Sequence, residues 1–260
     1  MLRRFQWGRW AAALGCLALA MHWTAPLCAQ DDPVDGFPPR VPLRADKHTV
    51  LLLRGDREAP YSNGVKDSPA IEPHGKAFLV KGRFDEALAV RDWRSRLEVP
   101  HSDRIKPGEG GQLTVEFWLK GEHVNHWRHY GIVMQKPGLL RINFSRTRKG
   151  EIVIDGKLMG EKHASCSLRH RFPDEFDWTA WHHYAFVYGV DTGRGKPVGY
   201  LFVDGKRVDK ETVHRKVGSS DKPLTLFNGE SSRSHRWTRP FAGALDDIRI
   251  SNTIRYVDSK

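Results

Sequence analysis

Disulfide chemistry is nearly missing from this chain. Its 260 residues hold three cysteines, Cys16, Cys28 and Cys166. The first two fall in an apolar N-terminal stretch, which leaves Cys166 alone in the segment HASCSLR and rules out an internal disulfide framework. A domain of over 200 residues can rely on its core instead, because the buried fraction of the surface rises with size. Nothing near Cys166 resembles a Cys-His site, so it reads as a small buried hydrophobe. Long apolar runs are equally scarce. The one candidate, Ala11 to Met21, is too short to span a bilayer comfortably. It follows Arg3, Arg4 and Arg9 and precedes the small residue Ala29, the order of a secretory signal. The expectation is a signal peptide over residues 1–29 cleaved near Ala29, an extended lead-in over 30–47 and one domain over 48–260, secreted or held in the periplasm or cell envelope, with no transmembrane segment after signal removal. Neither Cys16 nor Cys28 sits behind a convincing lipobox.

Helical periodicity is the third absence. From His48 onward the chain runs through short alternating segments separated by turn signals, among them Ser62-Asn63-Gly64, Lys149-Gly150, Asp155-Gly156 and Asp204-Gly205. Asp-Gly between alternating segments marks a hairpin, since glycine accepts positive φ without steric cost. Many short strands without helical stretches between them predict an all-β antiparallel sandwich. In LTVEFWLK, alternation sets Leu113, Val115, Phe117 and Leu119 on a core face and Thr114, Glu116, Trp118 and Lys120 on the other.

The last strand carries an oddity. In FAGALDDIRIS, strict alternation places Asp246 beside Ile248 and Ile250, so one carboxylate points at an apolar layer. A buried carboxylate needs backbone donors, a cation or a metal ion. This run resembles the closing strand of laminin-G-like, concanavalin A-like jelly-roll domains. Three further blocks occur in that family's order. LTVEFWLK and WHHYAFVY (181–188) are similar to two of its strands, and YLFVDGKRV (200–208) to its strand, Asp-Gly turn and return strand. The resemblance implies a two-sheet jelly roll. It carries no activity, since this architecture hosts lectins, adhesion domains and glycosidases alike. It also implies that His183 is structural and packs with Trp181, and that one calcium ion is a candidate cofactor, with Asp67, Asn228 and Asp246 as possible oxygen donors. For Asp246 the alternative is satisfaction by backbone amides or the Trp181 indole.

Paired acids on one strand, which glycosidases of this architecture use, are not found. PDEFDW, with Asp174, Glu175 and Asp177, reads as a turn. His123, His126 and His129 recur every third residue but form no His-Glu-x-x-His pattern, and a loop is expected there rather than a metal site. Candidate ligand-binding residues are therefore aromatic and basic. His126, Trp127 and Arg128 sit together in GEHVNHWRHY, and Arg236 and Trp237 in SSRSHRWTRP, each a platform on which a sugar ring can stack beside hydrogen-bonding neighbours. Trp118 either lines a concave, sugar-facing sheet or is covered by a loop. Removing the three signal arginines takes the net charge from +11 to +8, which favours acidic partners or is simply a soluble surface. The expected function is a secreted, noncatalytic module for a polysaccharide or glycan, acidic ones included, or for adhesion, with no specific nucleic acid partner. A glycoside hydrolase or lyase, and a structural protein binding cell-envelope proteins, are the alternatives.

Overall fold

A computed structural model describes residues 37–90, 92, 94–122, 130–160, 163–191, 193, 195–214, 216–229 and 241–257. Fifteen strands are found among them: β1 (Thr49–Leu53), β2 (Glu72–His74), β3 (Ala77–Lys81), β4 (Glu86–Val90), β5 (Arg96–Val99), β6 (Leu113–Gly121), β7 (Tyr130–Lys136), β8 (Leu140–Arg146), β9 (Ile152–Met159), β10 (Ala164–Arg171), β11 (His182–Val190), β12 (Val198–Val203), β13 (Lys206–Thr212), β14 (Leu224–Leu226) and β15 (Gly243–Ser251). All pair antiparallel in two sheets. The larger runs β13-β12-β11-β6-β15-β4-β3, with β1 also on β15, and the smaller runs β10-β9-β8-β7-β14-β5-β2. No helix among the described residues is long and apolar enough to cross a membrane.

The alternation that predicted strands also decides what they bury. Val115, Phe117 and Leu119 of β6, Tyr184, Phe186 and Tyr188 of β11 and Leu245, Ile248 and Ile250 of β15 meet Ile142, Phe144, Ile154, Leu168 and Leu226 of the smaller sheet in one core. Each such side chain contributes about 1.5–3 kcal/mol by leaving water. Cys166 lies in β10, 3% exposed, and burial pushes its thiol up to about 12, so it packs as a hydrophobe.

Two expectations need correction. Asp155-Gly156 is not a hairpin turn but the middle of β9. Its glycine leaves room for a ring: a Cβ there would lie 2.1 Å from Phe186 Cε1. Strict alternation also fails in β15. Asp246 pairs with Trp118 and Arg249 with Glu116, so β15 spends three steps where β6 spends two, with Asp247 at φ 46°. This bulge lets Leu245, Ile248 and Ile250 all face the core, while Asp246 and Arg249 share the opposite face. The carboxylate of Asp246 does not point at the apolar layer after all.

The Asp204-Gly205 turn does form as expected, with φ 48° and 78°, the positive pair a tight two-residue hairpin requires. Asp204 also holds the preceding loop. His182 Nδ1 donates to Asp204 Oδ2 at 2.6 Å and its Nε2 to the Asp177 carbonyl at 2.8 Å, with Phe176 stacked on the ring at 4.2 Å. Both partners are acceptors, so the ring is held as the imidazolium. Burial works against that charge, but Asp204 and the Asp177 carbonyl outweigh it and raise the His182 pKa. A raised pKa gives stability that is complete below the unfolded value of about 6.5 and lost as pH rises through the folded value. His182→Gln is therefore expected to lower Tm at pH 5.5 and to lower it less at pH 9, in paired melting curves. An equal loss at both values contradicts an imidazolium clamp.

Candidate functional site

The face of the larger sheet turned away from the core carries the chemistry. Register aligns Lys120, Ala244, Ala89 and Phe78 in one row across β6, β15, β4 and β3, and Trp118 with Asp246 in the next. Ala87, Ala89 and Ala244 are buried and form a floor, with Phe78, Val80 and Trp181 packed against it. Ala87, Ala89 and Ala244 are 0, 1 and 5% exposed, so this apolar trough is largely filled by the larger side chains packed on it, and Lys120 shares its face. Sequence reasoning did not single out this floor. The signal was present in EALAV, where Ala87 and Ala89 alternate with core residues Leu88 and Val90.

Trp118 does not line this trough openly. It is 4% exposed, lies beneath the Arg83 guanidinium at 4.8 Å and meets Phe84 and His183 edge-on at 6.0 and 5.3 Å. Its covering comes from the β3–β4 turn. His183 packs with Trp118, its cross-strand neighbour on this face, and Trp181, with which the resemblance pairs it, packs against the alanine floor.

Farther along lies a buried charged group. Arg249 donates through Nε to Glu116 Oε1 at 2.7 Å, with Nη2 also 2.7 Å away, Tyr256 Oη donates to Glu116 Oε2 at 2.5 Å, and His183 Nε2 lies 3.4 Å from that oxygen. Burial raises the Glu116 pKa, but His183, Arg249 and Tyr256 outweigh it and hold the carboxyl at about 2. Among the described residues Asp246 forms no ion pair with a cation. Its Oδ2 accepts the Arg83 and Phe84 amides and its Oδ1 the Asp247 amide, yet burial still pushes it up to about 6. Asp247, whose Oδ2 accepts the Leu43 amide at 2.8 Å, is pushed by burial to about 7.

The three oxygen donors considered for calcium stand apart. Asp246 is committed to backbone amides. Asn228, fully buried after β14, accepts the Gly229 amide, and Asp67 lines an open groove of about 800 Å³ with Ala45, Lys47, Lys66, Arg104 and Asn252. They do not fit one shell of the six to eight oxygens calcium takes, and no group of three His, Cys, Asp or Glu side chains converges among the described residues. Asp174, Glu175 and Asp177 lie in the expected turn, where Asp177 Oδ1 accepts from Thr179.

His126, Trp127, Arg128, Arg236 and Trp237 lie outside the described residues. The stems of their loops are described and adjoin one another. Gly121 pairs with Gly243, the Glu122 amide donates to the Ala242 carbonyl at 3.0 Å, and a Cβ on Gly131 would lie 3.1 Å from Phe241 Cα. Residues 121–122 and 241–243 therefore lie side by side, next to Lys120 and Ala244.

A two-sheet antiparallel sandwich with this strand order defines a jelly-roll domain of the lectin type. A match to the concanavalin A-like lectin/glucanases superfamily spans residues 95–258, and the chain belongs to that superfamily. Among solved structures it is similar to the binding domain of Paraclostridial mosquitocidal protein 1, with TM-score 0.57 and 13% identity over 80% of this chain and 49% of that one. It is similar also to the binding domain of botulinum neurotoxin DC in complex with SialylT (TM-score 0.54, 13% identity, 81% and 48%) and in complex with rat synaptotagmin II (0.56, 13%, 81% and 49%). The chain spans about half the length of these structures. No curated protein matches it.

Proposed function

We propose that this chain is a secreted, noncatalytic carbohydrate-binding module whose ligand rests on the outer face of the larger sheet. The alanine-floored trough carries this reading, because an apolar strip with aromatic rings packed on it and a lysine on the same face suits a flat sugar ring with polar rims. Superfamily membership supports it, as does the likeness to a toxin binding domain solved with SialylT. Glycoside hydrolysis needs two carboxyls flanking the scissile bond. On this face Glu116 is tied to Arg249 and Tyr256, and Asp246 to three amides, which supports binding without catalysis. Lys120, Arg83 and the +8 charge of the mature chain favour an acidic polysaccharide. A leader over residues 1–29, removed near Ala29, accounts for export in this reading.

Affinity electrophoresis of the chain from Asp31 onward tests it, with alginate, heparin and dextran in the gel, at low and moderate salt, with calcium or chelator. Retardation by alginate or heparin is expected to survive moderate salt and to weaken about tenfold or more in Trp127→Ala or Trp237→Ala, the size of a stacked hot spot. Retardation that salt abolishes equally for every polyanion means the charge attracts nonspecifically, and the carbohydrate reading falls. The partner is then sought among envelope proteins.

A further inference from the structure

The outer face is not bare. Residues 37–44 run across it from β12 to β15, held at two ends. At the first, the Phe37 ring stacks on Tyr256 at 4.0 Å and meets His183 and Phe202 edge-on at 5.4 and 5.3 Å. Its carbonyl lies so close to the Asp204-Gly205 turn that a Cβ on Gly205 would come within 2.9 Å. At the second, the Leu43 amide donates to Asp247 Oδ2 and Arg249 Nη1 donates to the Arg44 carbonyl at 3.3 Å. Between them Arg40, Val41 and Pro42 are exposed, Val41 by 66%. The segment bends at residues 37–38 and 40–41 and is docked on the sheet.

Beneath this strap the sheet presents groups unlike a core. Glu116, His183 and Arg249 are at most 5% exposed, and three buried nitrogens have no hydrogen-bond partner: Nδ1 and Nε2 of His183, the latter 3.4 Å from Glu116 Oε2, and Nε1 of the adjacent Trp118. The rings bearing them are neighbours. With His183 Nε2 turned to Glu116, the indole offers a donor and Nδ1 an acceptor, an inventory that a hydroxyl, itself both donor and acceptor, would satisfy. The attachment is thin: one aromatic ring, buried Pro39 and Leu43, and two hydrogen bonds between its backbone and side chains of β15. Such an element opens locally at far lower cost than the sandwich unfolds.

We infer that residues 37–44 are a displaceable cover, whose withdrawal bares His183 beside Glu116 and so extends the hydroxyl-binding surface along the outer face. This rests on the reading of the outer face as the carbohydrate surface. The cover lowers apparent affinity by the fraction of time it is closed, so loosening it tightens binding.

Two measurements on the chain from Asp31 onward test this. Hydrogen exchange is expected to release the Leu43 amide at least about a hundredfold faster than the amides of β15, and Phe37→Ala is expected to bind the retarding polysaccharide, alginate or heparin, about three- to tenfold more tightly than the parent. Exchange of Leu43 at the β15 rate overturns the cover, as does unchanged or weaker binding by Phe37→Ala. If neither form is retarded by alginate, heparin or dextran while Leu43 exchanges fast, the opening stands and the carbohydrate function is overturned.

Discussion

Glu116→Gln is expected to cost about 3–5 kcal/mol of stability, the loss found when one partner of a buried ion pair is removed. The substitution preserves shape and deletes only charge. It leaves the Arg249 guanidinium 5% exposed with no anion beside it, and turns an acceptor pair that serves Arg249, Tyr256 and His183 into an amide that presents one oxygen. A domain is stable by about 5–15 kcal/mol in all, so the variant sits near the edge of folding. Urea denaturation reads the change as a lower midpoint with an unchanged slope. Glu116→Met with Arg249→Met recovers most of the loss, because desolvation of the two ions nearly offsets their attraction. The acid side supplies a second check. A carboxyl depressed to about 2 contributes stability that is present above its ordinary range and lost as pH falls through the folded value. The parent should therefore lose more stability than Glu116→Gln between pH 5 and pH 2, and parallel profiles would show that the pair is not ionised.

Phe144→Ala is expected to cost a further 3–5 kcal/mol by a different route, the cavity left by a buried ring. Phe144 in β8 meets Trp178, Phe241, Tyr184 and Phe172 at 5.4, 5.5, 5.8 and 6.1 Å. Tyr184 belongs to the facing sheet, Trp178 to the loop before β11, and Phe241 to the stem from which residues 230–240 depart. One ring thus joins both sheets to the end where the trough lies. Thermal melting should show a fall of about 10 °C for a domain of this size, with reduced near-ultraviolet dichroism. Phe144→Leu, which refills most of the volume, should lose less than half as much. An equal loss in both variants would place the effect in ring geometry rather than in the void.

The main strands and the core were legible because one face of each strand had to be apolar. Leu113, Val115, Phe117 and Leu119 announce this in the sequence and fill the core in the fold. What escaped depends on contacts between residues far apart. The bulge at Asp247 leaves no trace in the alternation, since it is fixed by pairing with β6. Gly156 looks like a turn residue until Phe186, thirty positions later, is seen to occupy the space over it. The role of Glu116 was invisible for the same reason: a charged residue on an outward face reads as solvated, and only Arg249, Tyr256 and the strap above them make it buried. The superfamily was readable from four blocks, whereas the trough arises from three alanines on two strands and the rings around them, a pattern with no motif.

The position of β15 has a consequence for how the protein comes into being. This strand lies in the middle of the larger sheet, paired with β6 on one side and with β4 and β1 on the other, yet among the described strands it is the last to be synthesised. Until translation has passed residue 251, the halves that meet on it have no common seam, and the edges of β4 and β6 that pair with it wait unpaired. Long-range pairing of this kind folds on the scale of milliseconds to seconds and exposes its apolar strands meanwhile. A ribosome that has not yet reached β15 therefore holds something closer to an open book than to a smaller version of the finished sandwich, and the binding that closes it is β15.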